Sequence, residues 1–160
     1  MIRAMLLAVA MLGAAPVRAE TPTVRDFDAP TWTALRAQHG GKPFILALWS
    51  VHCEPCTRDM PVWKSLAKHH PRLEILVVAT DPPSERGRVR EFLARFDPGP
   101  VQRYAFSDEM EERVRFAIDP SWRGELPRTY LFGADGRVEA LSGAVDPKHV
   151  ERWALAQARK

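Results

Sequence analysis

Phe44-Ile45-Leu46-Ala47-Leu48-Trp49-Ser50-Val51-His52-Cys53-Glu54-Pro55-Cys56 joins an unbroken apolar run to two cysteines separated by two residues. Phe44 to Trp49 has the length and composition of a strand buried on both faces. Cys53 then opens a helix predicted to run to His70, with Pro55 tolerated in its first turn and Pro61 kinking it. At a helix start, unpaired N–H groups and the helix dipole favour negative charge. A thiol held there ionises more readily, and the thiolate is the species that attacks a disulfide. Cys53 is therefore the expected nucleophile. Cys56, one turn inside the helix, is expected to be more buried and to resolve the mixed disulfide formed by Cys53.

Outward from this junction, strands and helices alternate. Before it, Thr31 is expected to cap a short helix carrying Trp32 and Leu35, which Gly40-Gly41 stops. After it, Leu73 to Ala79 reads as a second buried strand, and Asp81-Pro82-Pro83 breaks the chain. Ser84 is expected to cap a helix whose Val89, Phe92, Leu93 and Phe96 share one face. Gln102 to Phe106 reads as a short strand, and Ser107 as the cap of a helix with Met110, Val114 and Ala117 on one face. Arg128 to Phe132 and Arg137 to Leu141 form a hairpin around Gly133-Ala134-Asp135-Gly136. Asp146-Pro147 opens a last helix lined by Val150, Trp153, Ala154 and Gln157. The predicted class is α/β, with a mostly parallel central sheet, a C-terminal antiparallel hairpin, helices on both faces and an inserted helix at about 84–96.

The chain has 160 residues, the size of one domain, with enough apolar material for one packed core. A net charge of +3 is small for this length, and basic runs such as Arg86, Arg88 and Arg90 read as solvated surface, so no nucleic-acid partner is expected. Residues 1–19 read as a signal peptide: Arg3, an uncharged run from Ala4 to Ala15, then Val17-Arg18-Ala19 at a cleavage site. The run is well short of the ~20 residues of a spanning helix, which favours cleavage over the competing reading, an uncleaved membrane anchor. Residues 20–30 read as a leader or edge segment, and 31–160 as the folded domain, located in the periplasm. An exported scaffold stapled by disulfides normally carries several cysteines, whereas this chain has two. A bridge between them closes a tiny loop and adds little chain-entropy stabilisation, so chemistry explains the pair better than structure does.

The W-x-x-x-C-x-x-C junction at Trp49–Cys56, the Pro61 inside the helix and the Leu126-Pro127-Arg128-Thr129 segment before the hairpin resemble the thioredoxin superfamily. The exported start, Cys-Glu-Pro-Cys and the inserted helix are similar, more narrowly, to the TlpA/ResA-like disulfide reductases. The resemblance spans Thr31 to Lys160. It implies a thiol–disulfide oxidoreductase with no cofactor or bound metal beyond the Cys53–Cys56 dithiol. It implies a cis peptide at Leu126–Pro127, set against the reactive cysteine. There the backbone of Leu126 is available to pair with a bound peptide in strand fashion. Pro127, Leu126, Pro55, His52 and Trp122 are the expected docking residues. Exported cysteine-containing proteins, such as oxidised apocytochrome c or metal-assembly factors, are the implied substrates. The implied electron source is a transmembrane dithiol donor of the DsbD/CcdA type, and a monomer is expected.

Acids at the positions of Glu54 and Asp59 are implicated, in ResA-like proteins, in proton handling. Asp59 is placed to exchange a proton with Cys56. Negative neighbours disfavour thiolates and so favour a reductant. The plainer reading of both acids is charge complementarity at a helix start. Two departures stand out. Ala47 occupies the place of the buried Asp of thioredoxin, and His52 the place of the Trp before the first Cys. A charged His52 imidazole lowers the Cys53 pKa; a surface-loop histidine is the alternative. Of the tryptophans, Trp32, Trp63 and Trp153 fit core faces, while Trp49 and Trp122 stand near the site.

Haem attachment through C-x-x-C-H fails because Thr57 follows Cys56. A closed zinc site requires four ligands, and the adjacent His69 and His70 project differently. The reading from another class is a periplasmic copper-binding or copper-delivery protein using Cys53, Cys56 and His52, since soft thiolates suit Cu(I).

Overall fold

The computed structural model describes residues 23–158. The predicted signal segment at 1–19 lies outside the described residues. Strand β1 (Arg25–Phe27) leads into α1 (Ala29–Gln38) and β2 (Phe44–Trp49). A 3₁₀ turn (Glu54–Arg58), α2 (Met60–His69) and β3 (Glu74–Ala79) follow. A second 3₁₀ turn (Pro83–Glu85) precedes α3 (Arg86–Arg95), β4 (Gln102–Phe106) and α4 (Glu111–Ile118). The chain ends with β5 (Arg128–Phe132), β6 (Val138–Ser142) and α5 (Pro147–Ala158).

These strands make one mixed sheet in the order β1-β4-β3-β2-β5-β6. β1 to β4 run parallel, and β5 and β6 add the antiparallel hairpin on the β2 side. All six residues of β2 are buried, because helices cover both faces of the sheet. Side-chain alternation divides the core into two layers. Ile45, Ala47 and Trp49 join Ile75 and Val77 against Trp63 and Leu66 of α2, Leu93 of α3 and Val150 of α5. Phe44, Leu46 and Leu48 join Leu76, Val78 and Phe106 against Trp32 of α1 and Val114 of α4. Each such aliphatic side chain contributes about 1.5–3 kcal/mol through its removal from water. Trp32 also donates its indole N–H to the Ala117 carbonyl at 3.0 Å, tying α1 to α4.

The fold class is as expected, and several local expectations are corrected. Part of the segment read as leader or edge supplies β1, whose Phe27 is fully buried and pairs beside Phe106, so the folded unit begins ahead of Thr31. The cap of α1 is Asp28: its carboxylate accepts the Thr31 N–H at 2.8 Å, leaving Thr31 inside the first turn. The helix expected from Cys53 to His70 is two pieces, a 3₁₀ turn and α2. Pro61 therefore does not kink a helix. It occupies the first turn of α2, where a missing N–H costs nothing. Ser84 lies within the second 3₁₀ turn and does not cap α3, which starts at Arg86 with Glu85 as its cap residue. Ser107 does not cap α4, which starts at Glu111, and of the expected face only Val114 is buried.

The cap assignment has a direct consequence. Asp28→Ala is expected to lower stability by about 1 kcal/mol in urea denaturation. Thr31→Ala keeps the backbone N–H cap bond and removes only the hydroxyl's interaction with Asp28, so it should cost less, within about 1 kcal/mol of the parent.

Candidate active site

β2 ends at Trp49, and the chain turns through Ser50, Val51 and His52 to Cys53. The Cys53 N–H donates to the Ser50 carbonyl at 3.1 Å, closing the turn. Cys53 is half-buried and Cys56 is fully buried. Their sulfurs are joined in a disulfide. The Cys56 N–H donates to the Cys53 carbonyl at 3.1 Å, so the two cysteines bracket the first residues of the 3₁₀ turn. Glu54 between them is exposed, and Pro55 is tolerated in that first turn, where its missing N–H has no helical partner to lose. The asymmetry expected from the sequence is present: one sulfur at the surface and one inside.

Asp59 stands one turn beyond Cys56 and is only 3% exposed. Its carboxylate accepts the Val145 N–H at 3.1 Å. Burial pushes its pKa up to about 6, against the lowering effects of the Val145 N–H and of Arg58.

The opposite wall of the site is the segment before β5. The Leu126–Pro127 peptide is cis. Pro127 is buried and its carbonyl accepts the Gly143 N–H at 2.9 Å. Among the described residues none hydrogen-bonds to the backbone of Leu126. Trp122 is buried and donates its indole N–H to the Glu125 carbonyl at 3.0 Å. Arg128 fastens the segment at both ends, with Nη2 on Asp119 at 3.3 Å and Nη1 on Glu125 at 3.1 Å. The Tyr130 hydroxyl donates to Asp119 at 2.9 Å. A cleft of about 250 Å³ lies between the two walls, with Ser50, His52 and Asp81 on one side and Trp122 and Leu126 on the other. A larger cavity of about 500 Å³ opens at the far end of the sheet, between His39, His70 and Leu155, and contains no cysteine.

The structure thus brings His52, Trp122 and Leu126 to one cleft, with Cys53 next to His52 in the chain. Asp59 is held apart from it, under the loop that carries Val145. His52 is exposed, and its Nε2 lies 2.8 Å from Glu85, with Arg88 at 3.2 Å from the same carboxylate. Trp49 belongs to the core, stacked on Phe92 at 4.5 Å between ring centroids. Ala47, where thioredoxin has its buried Asp, pairs with Thr129 of β5.

Sequence reasoning missed Asp81. This carboxylate is 3% exposed and accepts from the Ser50 hydroxyl at 2.7 Å and the Val51 N–H at 3.2 Å. Asp81-Pro82-Pro83 reads locally as a chain breaker. The available signal was register: β3 runs parallel beside β2 with Ala79 opposite Trp49, so position 81 falls beside position 51.

As a disulfide, Cys53 and Cys56 offer no thiolate to a soft ion. His52, Asp81 and Glu85 bring ligand atoms within 4.8 Å of one another. Arg88 already lies against both His52 and Glu85 there.

No family model matches the chain. It is 24% identical over 117 residues to the thiol-disulfide oxidoreductase ResA of Geobacillus kaustophilus, and 24% identical over 114 residues to ResA of Bacillus cereus. These alignments take in 72% and 71% of this chain but only 63% and 62% of the relatives' own length. Among solved structures it is similar to a secreted Mycobacterium tuberculosis disulfide oxidoreductase homologous to E. coli DsbE. That likeness has a TM-score of 0.61 at 18% identity, over 75% of this chain and 85% of the other. StoA of Bacillus subtilis aligns with a TM-score of 0.53 at 19% identity, over 71% and 82% of the two chains. With the sheet order, the paired cysteines after β2 and the cis Leu126–Pro127 peptide, these likenesses show a thioredoxin-like fold, similar in sequence to the ResA thiol-disulfide oxidoreductases.

Proposed function

We propose that this chain is a thiol–disulfide oxidoreductase that reduces disulfides in exported proteins through Cys53 and Cys56. One observation carries the reading: the two sulfurs are bonded to each other, one on half-exposed Cys53, next in the chain to the cleft-lining His52, and the other on fully buried Cys56. That pair can cycle between dithiol and disulfide by exchange alone, so the chemistry needs no cofactor.

In the reduced protein the Cys53 thiolate attacks one sulfur of the substrate disulfide. A Cys53–substrate bond forms, the substrate's own S–S bond breaks, and the departing thiolate takes up a proton. Asp59 removes the proton of Cys56, whose thiolate attacks the Cys53 sulfur. The mixed disulfide breaks, the second substrate thiol leaves, and Cys53–Cys56 is oxidised by two electrons. A dithiol donor then reverses the sequence. A transmembrane donor of the DsbD/CcdA type fits a protein exported by residues 1–19. Leu126 offers its free backbone to an extended substrate segment, and Pro127, Trp122, Pro55 and His52 form the docking surface. Glu54 and Asp59 add negative charge around the pair, which disfavours thiolate and suits a reductant. Oxidised apocytochrome c and cysteine-containing metal-assembly factors belong to the expected substrate class. Among the described residues no helix is long and apolar enough to cross a membrane.

Turnover of a model protein disulfide should be abolished by Cys53→Ser. Cys56→Ser should accumulate mixed disulfides linked through position 53, visible on non-reducing gels. Stoichiometric copper in the reduced protein without exchange activity would overturn the proposal.

Asp59 supplies a pH test. Its folded pKa of about 6 lies above the unfolded value of 3.8, so the folded state binds the proton more tightly. Its contribution to stability is therefore greatest below about pH 4 and declines as pH rises to about 6. Asp59→Asn should be more stable than the parent by about 2–3 kcal/mol at about pH 8, with the difference vanishing below about pH 4. The same variant should slow release of the mixed disulfide, on the order of tenfold to a hundredfold near neutral pH.

A further inference from the structure

We infer that Asp81 is the positioning residue of the site, holding the turn that presents Cys53 to its substrate. The inference rests on the exchange chemistry proposed above. Asp81 follows β3 and reaches sideways to the chain leaving β2. Both of its oxygens accept the Val51 N–H, each at 3.2 Å, and Oδ1 also accepts the Ser50 hydroxyl at 2.7 Å. Ser50 Oγ in turn accepts the His52 N–H at 3.0 Å. One buried carboxylate therefore governs, directly or through one hydroxyl, the backbone of the two residues before Cys53.

Val51 also packs against the core, but among the described residues no other hydrogen bond attaches the backbone of Val51 or His52 to the body of the fold. The sheet contact ends at Trp49, whose carbonyl accepts the Thr80 N–H at 2.8 Å. Beyond it, the Cys53 N–H bond to Ser50 is internal to the turn and does not attach it to the body. The link from His52 to Glu85 and Arg88 is at the surface, where such pairs contribute little. The Asp81 contacts are part-buried and engage both carboxylate oxygens. The turn is also one wall of the cleft that faces Trp122 and Leu126. Its geometry sets the angle at which Cys53 meets a segment lying along Leu126. Small misplacements of a reacting group cost large factors in rate.

The test compares Asp81→Ala with Asp81→Asn in the full chain, reading kcat/KM on a model protein disulfide and thermal stability in parallel. An amide oxygen at the Oδ1 position still accepts from both Ser50 and Val51, so Asn preserves the turn and Ala does not. The expected result is at least about a fivefold loss for Asp81→Ala, with Asp81→Asn within about threefold of the parent. An Asp81→Ala rate within about threefold of the parent, or an Asn variant as slow as Ala, overturns the inference. If Asp81→Ala does not fold, Ser50→Ala decides, since it removes only the hydroxyl that relays Asp81 to His52. A loss of about threefold or more supports the inference and an unchanged rate overturns it. If the parent itself exchanges no disulfides, the functional reading fails separately. The alkylation rate of reduced Cys53 by iodoacetamide still reports on the turn: a change of about threefold or more in Asp81→Ala but not in Asn supports positioning, and equal rates overturn it.

Discussion

β2 is buried along its whole length and paired on both edges, and the site depends on that confinement. Its neighbours differ in direction: β3 is parallel to it and β5 antiparallel. The end of β3 and the beginning of β5 therefore lie beside the end of β2. Three short segments meet there. Ser50 to Cys53 leaves β2, Asp81 leaves β3, and Leu126–Pro127 enters β5. A strand with one free edge would bring only one of these to the cysteines. The larger cavity lies at the opposite end of the sheet, away from these three segments.

The two buried acids near the site answer to different local balances. Asp59 has one backbone donor, from Val145, and burial outweighs it, so protonation becomes easier. Asp81 is equally buried but receives a hydroxyl and a backbone N–H, spread over both oxygens. A carboxylate short of donors is suited to moving a proton, and one well supplied with donors is suited to holding a backbone. Exposed Glu54 has neither environment. Its charge acts through solvent, where screening is strong.

On the other wall, Arg128 converts a loop into a surface. Without its contacts to Asp119 and Glu125, the residues from 119 to 127 would be anchored chiefly by Trp122, by the Tyr130 hydroxyl on Asp119 and by the Pro127 carbonyl. The guanidinium ties both ends of that segment to the first residue of β5. It leaves the Leu126 backbone unpaired in the described structure and faces it with the Cys53 turn.

The apolar runs at Phe44–Trp49 and Leu73–Ala79, the hairpin and the cysteine spacing were legible from local chemistry, because burial on two faces and turn composition leave direct marks in composition. So were the α/β class and the unequal burial of the two cysteines. Caps and helix starts were less legible. Asp28 and Thr31 are both competent caps, and only the path of the entering strand β1 selects the first. The break between the 3₁₀ turn and α2 was hidden because Pro55 and Pro61 are each compatible with the first turn of a helix. The sequence by itself determined which side chains can form a disulfide, since only two cysteines are present and their separation of three positions lets them bond to each other. Tertiary structure alone decided what surrounds them: Asp81, far along the chain from Cys53, becomes its loop's anchor through strand register, and Asp59 acquires its raised pKa through packing under Val145. Which carboxylate meets which turn or loop is a property of packed neighbours, and no local stretch of residues encodes it.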